Sequence, residues 1–585
     1  MKFSIPILSG LIILIATSCI TTPPPAASVI ASWGEEEKNV QREAGTQLLR
    51  KLAQAKLDGE KIFTIPKGDY RFFKTSVKGA HKSFITLDGY KDIIIDGSGS
   101  TFWFEDEAWG FHITGSSNTT MKNIILDWDP LPYTQGVIVG MNPKEKTLDV
   151  RISPGYEAVS KRFASLPPEG NEKAACVRGY IFDAKKDLFK PCQEGFRVVP
   201  FFQTPKINGA YRIKTLVFYN KPLENLNAKI GDRIALVLRG GGGILMEGCG
   251  NMLLEDVTLY SCPGLQFVEG ACNERNTYRR CKVLPRTGTD RLMGGNADGF
   301  HSQNCENGPI IENCEITSIG DDAVNIHGFY RKVLAQNSPN EVVVENFAWR
   351  QKLKGSCTVD FYESPAKGFD FLGERKVLAC RFENGKHILT LDKPVIVEND
   401  SVCSIEEYTG PGAIIRNCHW KNIYTRGILF KSHNAVIENN VMEWIGSWGI
   451  LLTTQPGFWG ESAMPHGVKI RGNIITDVFG QAAIGLIDPA KDFSKAQRVR
   501  DISITNNTIT RTDGPGIMLR GTDGVQIIGN SISGDHTDYS VESGAGEYLS
   551  QKDGASIEAE DSRNLLEKDN TIPGADMNGR KRSCR

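Results

Sequence analysis

The residues whose types and spacing suggest chemistry are three aspartates in the segment NADGFHSQNCENGPIIENCEITSIGDDAVNIHG, residues 296–328. Asp298 follows Asn-Ala, and the adjacent pair Asp321 and Asp322 follows Ile-Gly. Carboxylates that lie close together repel one another, so at least one should keep its proton near neutral pH while the others stay ionised. A protonated and an ionised carboxyl group side by side can catalyse the hydrolysis of a glycosidic bond. The segment therefore predicts an acid–base site, provided that the fold brings the three side chains together.

A short repeat indicates the fold that would do so. Asn417 and Asn439 lie 22 residues apart in similar short apolar segments, Asn507 and Asn530 lie 23 apart, and the interval to Asn473 is longer. A short strand that recurs with this period is typical of a solenoid, whose units bury their apolar residues only by stacking. The 60 glycines fit many turns. The pattern predicts an all-β chain that resembles the right-handed parallel β-helix; a β-sandwich or propeller with coincidental spacing is the alternative.

Two regions interrupt this repeat with alternating apolar and polar residues and Asn-Pro, Asn-Gly or Gly-Asp turns. They are predicted to be β-barrel-like insertions that flank the segment with the aspartates. An amphipathic helix is expected at residues 38–58, as an N-terminal cap. The expected organisation is: 1–18 signal peptide, 19–37 tether, 38–134 cap and first coils, 135–238 first insertion, 239–329 central coils with the site, 330–408 second insertion, 409–570 C-terminal coils and 571–585 tail.

In such a solenoid the aspartates can converge. Neighbouring parallel strands lie about 4.8 Å apart, so Asp298 and Asp321, one coil apart in sequence, should project side by side. Asp322 can join them only if the strand bends, and Gly320 supplies freedom to bend. The alternatives are ordinary turn residues and a calcium site.

Several other residues are expected to contact a sugar. Polar side chains near the aspartates can bind hydroxyl groups and aromatic rings can stack on sugar faces, although each type is also common in turns and cores. The polar candidates are His301, Asn325, His327, Glu269, Arg426, Lys431 and Glu461, and the aromatic candidates are Trp128, Trp444, Trp448 and Trp459.

The composition excludes several other classes of function. A formal charge of −1 without a dense Lys/Arg run leaves no electrostatic footprint for nucleic acid. The 14 cysteines include no C-x-x-C pair, and several lie in strand-like segments, so most are expected to be buried small hydrophobic residues. The cysteine and histidine spacings match no usual zinc pattern. No metal and no cofactor are therefore predicted.

The N-terminus, MKFSIPILSGLIILIATSC, has the layout of a secretory signal. Cys19 after Ala-Thr-Ser resembles the lipidation site of bacterial lipoproteins, and TTPPPAAS is typical of an unfolded tether. These features predict a protein held in the cell envelope by an N-terminal lipid only; secretion without lipidation is the alternative.

The aspartate motifs resemble two families of glycoside hydrolases. N-A-D-G followed one coil later by G-D-D resembles the polygalacturonases of family 28, which implies Asp321 as general acid and Asp298 with Asp322 as base. Gly-His-Gly and Arg-Ile-Lys, which handle the uronic acid in that family, are missing, and Arg426 and Lys431 in TRGILFKS are the nearest match. A galacturonan substrate is therefore disfavoured.

A second resemblance covers nearly the whole mature chain. DWDPLPYTQGVI, the two insertions, NADGFHSQNC, IGDDAVNIHG, RGILFKSHNAVIENN and HGVKIRGN resemble, in order, the α-1,3-galactosidases of glycoside hydrolase family 110. This resemblance implies an exo-acting inverting enzyme that removes terminal α-1,3-linked galactose from glycans such as blood group B structures. Another β-helix enzyme, endo-hydrolase or lyase, and a non-catalytic glycan-binding β-helix are the alternatives. Oligomeric state is left open.

Overall fold

The structure is a computed structural model, and it describes residues 33–73, 82–157, 177–190, 196–198, 206–217, 227–347, 356–493, 498–533 and 556–572. The predicted signal peptide, Cys19 and nearly all of the tether lie outside the described residues, as do residues 573–585. Within the described part, no helix combines the length and apolarity needed to cross a membrane.

The chain winds into coils whose strands form two long parallel sheets, as the repeat predicts. Sheet 1 has eleven strands in one parallel series within the described residues, and a short twelfth strand, Glu461–Ser462, pairs antiparallel with one of them. The parallel strands of sheet 1 are Ser83–Asp88, Trp109–Thr114, Ile244–Glu247, Phe267–Gly270, Phe300–Gln303, Val324–Phe329, Ile428–Lys431, Trp448–Leu452, Ala482–Ile487, Ile517–Arg520 and Ile557–Glu560.

Sheet 2 has twenty strands among the described residues, and it closes the coils from the other side. Its strands are Ile62–Thr64, Asp69–Phe72, Ile94–Phe104, Thr120–Trp128, Leu253–Tyr260, Thr277–Arg279, Lys282–Leu284, Ile310–Glu312, Glu315–Ile319, Ile414–Arg416, His419–Ile423, Val436–Glu438, Val441–Ile445, Lys469–Arg471, Ile474–Val478, Val499–Thr505, Thr508–Thr512, Thr522–Ile528, Ser531–Ser533 and Leu566–Lys568. Apolar residues of both sheets fill one continuous core inside the coils. The all-β, parallel β-helix prediction is confirmed.

Asparagines stack at one turn of successive coils. Asn440 Nδ2 donates to Asn473 Oδ1 at 3.0 Å, and Asn473 repeats the contact with Asn507 at 2.9 Å. Asn417 and Asn439, which the repeat aligned with this position, instead take the left-handed conformation one residue earlier, with φ 55 for each. The register of the sequence repeat was therefore wrong by one residue at these two coils, because asparagine suits both a buried ladder and a left-handed turn.

Both predicted insertions fold as small antiparallel barrels. In the first, six of seven described strands form a ring; the seven are Tyr133–Asn142, Thr147–Ile152, Val177–Phe182, Phe196–Val198, Lys206–Ile207, Ala210–Val217 and Arg233–Val237. The second is a closed barrel of Arg331–Ser338, Glu341–Glu345, Thr358–Tyr362, Phe371–Glu383, Lys386–Leu391 and Val402–Ile405, followed by a 3-10 helix at Glu406–Tyr408. Each barrel encloses its own apolar core.

The N-terminal helix, Glu35–Leu57, begins three residues earlier than the periodicity predicts. Three glutamates occupy its first turn, where the helix dipole favours negative charge. Leu48, Leu52 and Ala55 are buried against the first coils. The helix therefore covers the end of the core, as expected of a cap.

The cysteines of the described residues are all free, and nine of these ten are buried. Cys281, Cys314 and Cys418 lie within the core of successive coils. The prediction that most cysteines act as small buried hydrophobic residues is confirmed for this part of the chain.

Candidate active site

The three aspartates lie at the start of two neighbouring strands of sheet 1. The register pairs Phe300 with Val324, and the Gly299 amide donates to the Asp322 carbonyl at 2.9 Å. Extending the register back by two residues places Asp298 beside Asp322. The expectation that Asp321 would be its partner was wrong, because this coil has 24 residues between paired positions rather than 23.

All three side chains nevertheless converge. One carboxylate oxygen from each lies within 4.8 Å of the others. Gly320 matters here for space, because a Cβ at this position would lie 2.5 Å from the Tyr180 hydroxyl. That hydroxyl, from the first barrel, donates to the Gly320 carbonyl at 2.9 Å. The first barrel is thus packed directly against the bend that carries the aspartate pair.

Asp321 is held by arginines of the first insertion. Arg239, just after the last barrel strand, donates to Asp321 Oδ2 at 2.5 Å, and Arg178 lies 3.6 Å from the same oxygen. Burial acts to raise the pKa of Asp321, but the charges of Arg239, Arg178 and Arg426 outweigh it and lower the pKa. In this arrangement Asp321 is an ionised carboxylate.

Asp322 has the opposite character. Its Oδ1 accepts hydrogen bonds from the Thr425 hydroxyl at 2.6 Å and from Arg426 Nε at 2.8 Å. Burial, with the charges of Asp298 and Asp321, nevertheless raises the pKa of Asp322 to about 6. Within the adjacent pair, Asp322 therefore binds a proton at higher pH than Asp321, the residue that the motif implies as general acid.

Asp298 contacts a pair of histidines. Its Oδ2 lies 2.8 Å from His301 Nδ1, and His301 Nε2 lies 3.1 Å from His327 Nε2. Burial acts to lower the pKa of His301. The hydrogen bond to Asp298 and the charge of Asp298 outweigh burial, so the pKa is raised. Both rings are largely enclosed.

The candidate site continues beyond the aspartates in a second group of polar side chains, Lys431, Asn325 and Glu461. Lys431 Nζ donates to Asn325 Oδ1 at 2.9 Å and lies 2.6 Å from Glu461 Oε2. Burial lowers the pKa of Lys431 to about 8. Glu461 lies close to Lys431 because its short strand pairs antiparallel with the end of Val324–Phe329.

The structure thus brings together Asp298, Asp321, Asp322, His301, Asn325, His327, Arg426, Lys431 and Glu461. Sequence reasoning missed Arg178, Arg239 and Thr425. Arg239 carries a weak signal, since it lies two residues after a strand and immediately before four glycines. Arg178 and Thr425 carry none that distinguishes them from other residues of their type.

Two predicted sugar contacts are wrong. Glu269 points into the coil, where its carboxylate accepts from Ser302 at 2.7 Å and from Asn276 at 2.9 Å. It was misplaced because alternate residues of a strand face opposite sides, and Glu269 shares the inward face with Phe267. Trp128 is 1% exposed and packs on Phe104 in the core, so its ring cannot reach a ligand.

The other tryptophans lie in three different settings. Trp448 is buried on sheet 1, where the register places it beside Arg426. Trp444 donates to the Phe189 carbonyl at 2.7 Å and so fixes the first barrel to the coils. Trp459 is 59% exposed in the loop that leads to Glu461. Of the four tryptophans, Trp459 has the ring that is open to solvent.

The aspartate cluster has the spacing that a cation requires but is surrounded by competing positive charge. Oxygens of three carboxylates within 4.8 Å are close enough to ligate one ion. Arg239 and Arg426 already pair with two of these carboxylates. Fixed guanidinium groups at this distance oppose a divalent cation, so acid–base chemistry suits the cluster better than metal binding.

Comparison with known proteins agrees with the fold and adds named relatives. The family model described as "Right handed beta helix region" matches residues 359–532. Solved structures to which the chain has some likeness include the A-module of a mannuronan C-5 epimerase from Azotobacter vinelandii, with TM-score 0.39, 12% identity and coverage of 88% of this chain and 92% of that one. The tailspike protein of E. coli bacteriophage HK620, a double mutant bound to a pentasaccharide, has TM-score 0.42, 11% identity and coverage of 90% and 62%.

Two curated relatives match over most of their length. Alpha-1,3-galactosidase B of Bacteroides thetaiotaomicron is 26% identical over 549 residues, which cover 88% of this chain and 86% of the relative. Alpha-1,3-galactosidase A of Bacteroides fragilis is 23% identical over 529 residues, which cover 83% and 84%. The chain is therefore similar, over more than four fifths of its length, to proteins named α-1,3-galactosidase.

Proposed function

We propose that this protein is an exo-acting glycoside hydrolase that removes terminal α-1,3-linked galactose from glycans, including blood group B type structures. The observation that carries the proposal is a cluster of three aspartates, two of them buried, in which the pKa of one carboxyl group is raised and that of its neighbour is lowered. Glycoside hydrolysis needs this division between acid and base. The names and coverage of the curated relatives support galactose as the sugar.

The reaction proceeds with inversion in this proposal. Oxygens of Asp298 and Asp321, which lie within 4.8 Å of each other, can hold one water, and the ionised Asp321 accepts its proton. Asp322 protonates the leaving oxygen, since burial and its neighbours raise its pKa to about 6. Direct attack of water on the face opposite the leaving group inverts the anomeric centre in one step.

A panel of α-galactosides tests the activity. Release of galactose from an α-1,3-linked oligosaccharide is expected, with little from α-1,4- or α-1,6-linked controls, and β-galactose should be the first anomer in the proton NMR spectrum. Initial α-galactose would contradict inversion. An unsaturated product, or glycan binding without turnover, would favour a lyase or a non-catalytic binding protein.

An aryl α-galactoside separates the acid from the base. A good leaving group needs no protonation, so the variant that lacks the acid should recover most on this substrate. Asp322→Asn is expected to recover, whereas Asp321→Asn is not. Recovery of Asp321→Asn instead would mean that bound substrate displaces Arg239 and that the motif-based acid is correct.

We also propose that the protein is anchored in the cell envelope through a lipid on Cys19. The support is the sequence before and at this cysteine. Membrane-fraction protein should become soluble when Cys19 is replaced by serine. Unchanged fractionation of Cys19→Ser would exclude the anchor without bearing on catalysis.

A further inference from the structure

His327, His301 and Asp298 form a line of polar contacts that leads away from the aspartate cluster. His327 Nδ1 lies 2.7 Å from the Gly328 carbonyl oxygen. His327 Nε2 lies 3.1 Å from His301 Nε2, and His301 Nδ1 lies 2.8 Å from Asp298 Oδ2. Each ring therefore uses both of its nitrogens within the protein. Neither histidine has a nitrogen left over for a sugar hydroxyl.

The Gly328 carbonyl, at one end of this line, determines which ring nitrogens carry protons. A carbonyl oxygen has no proton to give, so His327 Nδ1 must be the donor to Gly328. Burial lowers the pKa of His327 to about 3, so the ring is neutral and its Nε2 is a bare acceptor. The contact between the rings then requires a proton on His301 Nε2.

One proton remains for the contact between His301 and Asp298. It lies either on His301 Nδ1, beside an ionised Asp298, or on Asp298 Oδ2, beside a neutral His301. The pair carries no net charge in both cases. This matters because an unshielded Asp298 would add a further negative charge beside the ionised Asp321, in a cluster whose oxygens lie within 4.8 Å.

We propose that His301 and His327 are positioning residues that keep one shared proton in the His301–Asp298 contact, with the tautomer of His301 fixed by His327. The inference rests on the proposed hydrolase function for its catalytic consequence, although the proton arrangement itself does not. It replaces the sequence-based expectation that these histidines bind the sugar. Because the contact uses only Oδ2 of Asp298, its other oxygen is left to face water or substrate.

The proton arrangement can be read without turnover. The full chain contains nine histidines, few enough for selective labelling with nitrogen-15. The His327→Gln and His301→Gln variants identify the two signals by their loss. His327 is expected to stay neutral with its proton on Nδ1 between about pH 5 and 8, where an ordinary histidine titrates. A His327 that gains charge in this range, or carries its proton on Nε2, would overturn the proposal.

The catalytic consequence is tested by two substitutions at the same position. In His327→Gln the side-chain carbonyl can still accept from His301 Nε2, whereas in His327→Leu nothing can. His327→Leu should lower kcat at least about tenfold with KM changed less than about twofold, and His327→Gln should keep kcat within about threefold. Equal losses in the two variants would mean that His327 only fills space and would overturn its positioning role.

His419→Leu is the matched control, since His419 also pairs with a carboxylate, Glu443, but on sheet 2. Its kinetics should equal those of the unmodified chain. Absence of any hydrolysis by the unmodified chain would count against the proposed function alone, because the NMR measurement would still decide the proton arrangement.

Discussion

Two clusters of titratable side chains have the same spacing and opposite character. The aspartate cluster, Asp298, Asp321 and Asp322, and the glutamate–histidine cluster, Glu406, His433 and His466, each offer three candidate ligand atoms within 4.8 Å. The aspartate cluster lies before the strands of sheet 1, under the first barrel. The glutamate–histidine cluster lies where the second barrel returns to the coils.

The surrounding charges make the difference. Arginines lower the pKa of Asp321, so the aspartate cluster keeps an ionised carboxylate despite burial. In the other cluster, burial and the charge of the nearby Asp360 raise the pKa of Glu406. Burial lowers the pKa of His433 and lowers that of His466 to about 4. Burial thus favours the uncharged form of all three members of the glutamate–histidine cluster.

Ring geometry adds a second difference. The His433 and His466 rings are stacked in parallel, 4.6 Å between centroids and 2° between planes, so their in-plane lone pairs do not converge on one point. His433 Nε2 also lies 3.2 Å from the Glu406 carbonyl, to which it donates. Proximity of ligand types is thus insufficient for a site. Charge state and lone-pair direction decide what a cluster can do.

The largest contrast is expected from removal of the carboxylates. Asp298→Asn, Asp321→Asn and Asp322→Asn should each lower kcat on an α-1,3-galactoside at least about 100-fold, as loss of an acid–base group does. Glu406→Gln should stay within about threefold, since a neutral glutamate already behaves like an amide.

The control for these variants is Asp256→Asn, which breaks an exposed ion pair with Arg280 on sheet 2. Circular dichroism and melting curves establish that the variants are folded. Full activity in two of the three aspartate variants would refute the assignment.

The next effect concerns the charge that keeps Asp321 ionised. Arg239→Gln removes the nearest positive charge, so the pKa of Asp321 should rise toward or above its ordinary value. A base is lost as pH falls through its pKa, so the acidic limb of the kcat/KM profile should move to higher pH by about one unit. Arg280→Gln, at the exposed pair, is the matched control. An acidic limb that does not move would exclude Asp321 as the base.

Glu406 should affect stability rather than rate. Its pKa in the folded protein is raised, so the folded state binds a proton that the unfolded state releases, and stability falls as pH rises above the unfolded value of about 4.3. Glu406→Gln removes this loss because glutamine stays uncharged at every pH.

The melting temperature of Glu406→Gln minus that of the unmodified chain should therefore increase between pH 4 and pH 7. The expected increase is about 2 °C, which corresponds to roughly 1 kcal/mol in a large domain. A difference that is constant or decreases with pH would mean that Glu406 is ionised in the folded protein.

The smallest effect is expected from chelation. Activity should be unchanged after EDTA treatment and dialysis. Arg239 and Arg426 already pair with the aspartates, and their positive charges repel a cation. Addition of Ca²⁺ should also have no effect. If chelation abolished activity and Ca²⁺ restored it, the aspartate cluster would be a metal-binding site, and a lyase would be favoured.

The sequence by itself determined the coils and where the carboxylates would gather. Strand length, turn residues and the repeat are local properties, and they predicted the β-helix, both barrels, the cap and the convergence of Asp298, Asp321 and Asp322. A one-residue ambiguity remained in the register, since asparagine at Asn417 and Asn439 suits either of two adjacent turn positions. A separate one-residue error placed Asp298 beside Asp321, because paired positions in this coil are 24 residues apart rather than 23.

Only the tertiary structure decided the charge state of the site. Arg239 is 82 residues from Asp321, and Thr425 is 103 residues from Asp322. No local pattern links residues so far apart; the first barrel and the next coil bring them together by packing. Coulomb interaction and desolvation depend on distance and burial in space, so the shifted pKa values of Asp321 and Asp322 and the proton shared by His301 and Asp298 are properties of the folded chain.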